Sequence, residues 1–145
     1  MARRIITRWE MLAEIAPQYS GLVLDQESVN RLLASPEVAQ YMNPNWTVKA
    51  HHMTIRFGGG LIGTEHEARL GQRETIHATH IGMTDEGTVS AVAVDGISDN
   101  AVPHVTLAVD DAAGGEASHS NRITNWVPLQ QPITLSGIVE EVYAS

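Results

Sequence analysis

Two six-residue segments constrain this chain more than anything else in it: His52-Met53-Thr54-Ile55-Arg56-Phe57 and His104-Val105-Thr106-Leu107-Ala108-Val109. In a β-strand, residues two apart point the same way. His52, Thr54 and Arg56 therefore share one face of the first segment, and Met53, Ile55 and Phe57 the other. In the second, His104 and Thr106 share a face with small Ala108, opposite Val105, Leu107 and Val109. Each segment predicts a strand with an apolar side for the core and a polar side carrying His and then Thr. One such strand alone means little, because threonine favours strands anyway. Two copies of equal parity can build a shared groove.

The surrounding pattern predicts an α+β fold over residues 1–145 as one domain, with a strand-rich sheet system and two or three helices outside it. Helical spacing of apolar residues runs from Arg8 to Ala16 and stops at Pro17. Gly21–Leu24 reads as a first strand. Asp25 then stands as an N-cap before a helix carrying Val29, Leu32 and Leu33, which Pro36 closes. Trp46–Phe57 is extended, Gly58-Gly59-Gly60 breaks it, and Leu61–Glu74 reads as a long surface loop. Thr75–Thr84 and Thr88–Asp95 read as strands joined at Asp85-Glu86-Gly87. Val102–Val109 is another strand, Ala117–Trp126 a short helix, and Pro132–Tyr143 a final strand. There is no tandem repeat of fixed period; the only internal echo is the pair of His-x-Thr segments.

Charge narrows the partners. The formal net charge is −8, with nine Lys and Arg, three of them in the first eight residues. A protein that grips long RNA or DNA needs a basic surface, since phosphate contacts dominate that affinity. A small nucleotide in a local pocket fits this balance better. The chain has no cysteine, which excludes disulfides, thiol nucleophiles and thiolate zinc sites. The apolar run after Arg3-Arg4 fails at Thr7, Arg8 and Glu10, so no signal peptide is expected, and no stretch is long enough to span a membrane. Cytoplasm is the default location.

The facing residues define a chemistry. One imidazole can take a proton while the other gives one, near neutral pH and without a metal. A threonine hydroxyl two residues on can donate to a phosphate oxygen. Arg56, on the same predicted face, adds a positive charge at the groove edge. Tyr19 precedes the first strand, where it either stacks on a base or is an ordinary boundary tyrosine. By parity His51 points away from the groove. His66, His77 and His80 form no recognisable metal set, Gly58-Gly59-Gly60 lacks the Lys-Ser/Thr of a P-loop, and no metal or cofactor is expected.

His52-Met53-Thr54-Ile55 with His104-Val105-Thr106-Leu107 resembles the signature of the 2H phosphoesterase superfamily. Tyr19-Ser20-Gly21-Leu22-Val23-Leu24, followed by Glu27-Ser28 and a helix, is similar to its first strand and helix. That opening resembles the cyclic phosphodiesterase domain of fungal tRNA ligases. It also resembles small phage phosphodiesterases that degrade cyclic oligonucleotide signals of the CBASS defence. The resemblance runs from about Tyr19 to Val109. It implies a bilobal fold of two antiparallel sheets related by a pseudo-twofold axis, with the motif strands facing a central cleft. It also implies metal-independent phosphodiester hydrolysis in which His52 and His104 are acid and base and Thr54 and Thr106 assist. Which histidine is the base stays open, as does the oligomeric state. The acidic balance favours a small cyclic nucleotide or oligonucleotide as substrate, in host cytoplasm if the chain is phage-encoded. RNA ends bearing a 2′,3′-cyclic phosphate are the alternative, and a non-catalytic module that sequesters a nucleotide is a third reading.

Overall fold

Alternation of apolar and polar residues becomes strand wherever the sequence shows it. In the computed structural model, which describes residues 17–143, the elements are β1 (Tyr19–Leu24), α1 (Gln26–Ala34), α2 (Pro36–Ala39), β2 (Thr47–Val48), β3 (His52–Phe57), β4 (Arg73–Met83), β5 (Val89–Val94), β6 (His104–Val109) and β7 (Val127–Val142). The helix expected over Arg8–Ala16 lies outside the described residues. α1 starts where the N-cap predicts: the Asp25 carboxylate accepts from the Ser28 N–H at 2.8 Å. That bond, with Arg73 beside it, holds the Asp25 pKa below its usual value. Leu32 on α1 is fully buried against the core.

The strands form one antiparallel sheet in the order β6-β3-β1-β7-β4-β5, and β5 pairs back onto β6 to close a barrel. β2 lies along β6 before β3 begins, and Ala50, at φ 39°, breaks the chain between them. Two separate sheets were expected. One closed sheet forms instead because β7 is sixteen residues long and joins both sides. Its Gly137–Val142 stretch pairs with β1 while Val127–Ile138 pairs with β4. β7 also begins five residues earlier than Pro132. Its two prolines are accommodated around a register slip, where Ala78 pairs Ile133 but His80 pairs Pro128. The segment expected as a helix over Ala117–Trp126 is a 3-10 turn over Ala117–Arg122.

The order of the ring is unchanged when β1, β3 and β4 are exchanged with β5, β6 and β7. The registers repeat in the same sense. Between β1 and β3, Ser20 pairs Arg56 and Gly21 pairs Thr54, leaving Ile55 as an extra residue. Between β5 and β6, Ser90 pairs Ala108 and Ala91 pairs Thr106, leaving Leu107 extra. Both motif strands thus bulge one residue after the threonine. A serine followed by a small residue lies opposite each bulge, and both serine hydroxyls are buried without a hydrogen-bond partner among the described residues.

Candidate active site

β3 and β6 are direct neighbours, paired antiparallel at Met53 and Val105. The local dyad of an antiparallel pair maps each residue onto the one equally far along the other strand. Here it maps His52 onto His104 and Thr54 onto Thr106. Met53 and Val105 are fully buried on the core side. The four motif residues all line a cleft of about 620 Å³ on the other side, within the range of roughly 300–1,000 Å³ typical of small-molecule sites. Lys49 is the one permanent charge among the described lining residues, and no carboxylate joins it. On a chain of net charge −8, the wall facing the two histidines is suited to an anion.

His52 is tightly held. The ring of Tyr19 stacks on it, with centroids 4.3 Å apart and planes 19° from parallel. The Tyr19 hydroxyl is 3.4 Å from His52 Nδ1, so stacking carries this contact more than hydrogen bonding. His51 Nδ1 is 3.0 Å from His52 Nδ1, and Thr54 Oγ1 is 3.1 Å from His52 Nε2. Burial pushes the His52 pKa down to about 4, and the charges of His51 and His104 push the same way. At neutral pH this imidazole is a free base.

His104 is fixed differently. Its Nδ1–H donates to the Val102 carbonyl at 2.8 Å, which leaves Nε2 for the cleft. Burial lowers its pKa too, but the Val102 carbonyl favours the protonated ring and works against that shift. Of the two, His104 has the better-supported imidazolium. The threonines also differ. Thr106 Oγ1 is 2.8 Å from Ser120 Oγ. Ser120 is buried, on the 3-10 turn packed against β6. Behind Thr54, its backbone carbonyl accepts from the Ser98 hydroxyl at 2.7 Å, and the Ile55 carbonyl accepts from the Asp99 N–H at 2.9 Å, tying the bulge to the following loop.

Two sequence expectations need correction. Arg56 does not line the cleft; Phe57 does. The extra residue at Ile55 shifts parity, so the side chain expected in the core turns outward. His51 does line the cleft, because Ala50 interrupts the strand just before it. Tyr19 lines it as well, but one face of its ring is occupied by His52. Sequence reading missed Ser120, whose role depends on a contact fourteen residues away and carries no local pattern.

The other histidines are engaged elsewhere. His66 is buried between Arg69, 2.9 Å from Nδ1, and Asp99, 2.9 Å from Nε2. Since arginine only donates, Nδ1 accepts and Nε2–H donates to Asp99. Glu65, His66 and Asp99 bring ligand-type atoms within 4.8 Å of one another, but the proton on Nε2 and the adjacent guanidinium disfavour a cation there. His77 pairs with Asp95 at 2.9 Å. Among the described residues, no helix is long and apolar enough to cross a membrane. No family model matches this chain, and no curated protein matches it.

Proposed function

We propose that this protein is a metal-independent phosphodiesterase of the 2H type that cleaves a ribose-linked phosphodiester in a small cyclic nucleotide. The observation that carries the reading is the Met53–Val105 register, which sets two His-x-Thr segments on one wall of one cleft. The exchangeable ring order and the matched bulges at Ile55 and Leu107 support the pseudo-twofold, two-lobed arrangement of that superfamily.

Neutral His52 takes the proton of the attacking oxygen, either water or a ribose 2′-hydroxyl. With His52 Nδ1–H donating to His51, Nε2 carries the lone pair that does this. The new P–O bond forms as the bond to the leaving oxygen breaks. The His104 imidazolium gives its Nε2 proton to that oxygen, and the two histidines exchange protonation states, which solvent resets. In the resting site the His52 Nε2 lone pair accepts from the Thr54 hydroxyl; once the proton of the attacking oxygen takes that place, Thr54 and Thr106 donate to the non-bridging oxygens. Ser120, buried with Thr106 as its partner, donates to Thr106 Oγ1, so the threonine's own proton, which reaches the Ala117 carbonyl at 3.5 Å in the resting site, can turn to the phosphate.

The test is incubation in EDTA with 2′,3′-cyclic mononucleotides, cyclic di- and trinucleotides and RNA ends bearing a 2′,3′-cyclic phosphate, read by mass spectrometry. Ring-opened or linear products from the small cyclic nucleotides are expected. Cleavage confined to RNA ends would move the substrate to the repair class. Tight binding with every ligand recovered intact would make the protein a sequestering module and defeat the reading.

A further inference from the structure

One strained residue brings His51 to His52. Ala50 has φ 39°, a conformation alanine rarely adopts. It is buried, and its N–H is bonded to the Thr106 carbonyl at 2.9 Å. Strain of this kind persists where the surroundings over-determine it, and it clusters at functional sites. Its consequence here is that His51 breaks strand parity and sets its Nδ1 3.0 Å from His52 Nδ1. One of these two nitrogens must carry the proton between them.

Which one carries it decides whether His52 can act as a base. The Thr54 hydroxyl, 3.1 Å from His52 Nε2, can donate to a lone pair or accept from an N–H, so it accommodates both tautomers. The Tyr19 hydroxyl, 3.4 Å from His52 Nδ1, is too distant to choose. The choice falls to His51. While neutral, it accepts at Nδ1 and leaves His52 Nε2 as a lone pair. Once protonated, it carries N–H on both nitrogens and must donate, so His52 accepts at Nδ1 and holds its own proton on Nε2. The pair then gains one proton from solvent, and His52 stays neutral with its single proton moved from Nδ1 to Nε2. Acid reaches the exposed His51 before the half-buried His52, because burial disfavours the charged ring. Tyr19, Lys49 and His104 are the other titratable groups lining the cleft among the described residues, and none is an anion that would draw the His51 N–H away from His52.

We propose that His51 is a positioning residue that selects the tautomer of His52, and that protonation of His51 switches the base off before His52 itself is charged. The inference rests on the phosphodiesterase reading of the cleft and gives that site its regulation by pH.

The experiment is a nitrogen-15 NMR titration of the free protein as wild type, His51→Asn and His51→Ala, alongside rates on adenosine 2′,3′-cyclic phosphate. Asparagine sets its Oδ1 in the place of His51 Nδ1 and can accept at every pH. With His51 neutral, wild-type His52 should show the Nδ1–H tautomer, and it should pass to the Nε2–H tautomer, still neutral, as His51 takes its proton. In His51→Asn the Nδ1–H tautomer should persist until His52 itself is protonated, and the acid limb of kcat/KM should move to lower pH. His51→Ala should lower kcat by about fivefold through loss of one neutral hydrogen bond, and His51→Asn should recover most of that loss. An Nε2–H tautomer of His52 while His51 is neutral, or an acid limb that His51→Asn leaves in place, would overturn the proposal. If wild type cleaves no cyclic nucleotide, the phosphodiesterase reading has failed on its own. The tautomer course then decides the role of His51: the swap confined to wild type supports it, and the same course in His51→Asn removes it.

Discussion

Tyr19 covers one face of His52, ring on ring at 4.3 Å. Two residues along β1, Gly21 lets that strand approach β3 closely, since a Cβ there would come within 2.6 Å of the Met53 carbonyl oxygen. Two consequences follow for the imidazole: its orientation is fixed, and water is kept from one side of it. Tyr19→Phe preserves the stack and should leave kcat/KM near wild type. Tyr19→Ala should lower it by about tenfold through loss of positioning. The same variant should move the His52 pKa up toward 6.5, because burial is the main cause of its depression. Proton NMR titration of His52 checks this, and an unchanged pKa would exclude the stacking role.

Stability and activity should both respond on the acid side of neutrality. His52 titrates near 4 in the folded chain against a usual 6.5. Between those values the unfolded chain binds more protons, so stability is full above 6.5 and falls as pH drops toward 4. The His52 share is on the order of 3 kcal/mol, and His104, shifted in the same direction, adds to it. Melting curves of wild type and His52→Gln at pH 7 and pH 4.5 should diverge, with the variant losing less on acidification. For catalysis one ring must be neutral and the other charged, so kcat/KM should peak below pH 6.5. A peak above pH 7.5 would rule out these two groups as the titrating pair.

Acid and base can be separated by the leaving group. A 4-nitrophenolate departs without a proton, whereas a ribose alkoxide needs one. His104→Ala should therefore lose roughly a hundredfold or more on a ribose leaving group and much less on a uridine 3′-(4-nitrophenyl phosphate). His52→Ala should lose similarly on both. The reverse pattern would exchange the two roles.

Ser120 is a positioning residue and should behave as one. Removing its hydroxyl frees Thr106 to point its proton elsewhere, so Ser120→Ala should lower kcat by about fivefold, corresponding to the loss of one neutral hydrogen bond of ~1 kcal/mol. KM should stay constant, and Ser120→Thr should recover part of the loss if the turn admits its methyl group. A change confined to thermal stability would make Ser120 merely structural.

Period-two alternation is a local signal, and it placed His52, Thr54, His104 and Thr106 on one face opposite Met53 and Val105. What alternation could not carry was anything set by a partner strand. The exchange of Arg56 for Phe57 comes from a bulge that exists only against β1. The entry of His51 into the cleft comes from the left-handed turn at Ala50, a residue with no reputation for that conformation. Closure of the sheet depends on the long reach of β7, whose start was hidden by Pro128 and Pro132. The matched serines at Ser20 and Ser90 were invisible for the same reason: Tyr19–Leu24 and Val89–Val94 are alike in register, not in sequence.

The most direct measurement is the rate of cyclic-nucleotide cleavage in EDTA by wild type, His52→Ala, His104→Ala and the double variant, each shown to be folded. If the two imidazoles flanking Met53–Val105 act as one acid–base pair, each single variant should fall by about a hundredfold or more. The double variant should then be little worse than either, because both act in one step. Single variants that keep the wild-type rate, or effects that simply multiply, would contradict the pair.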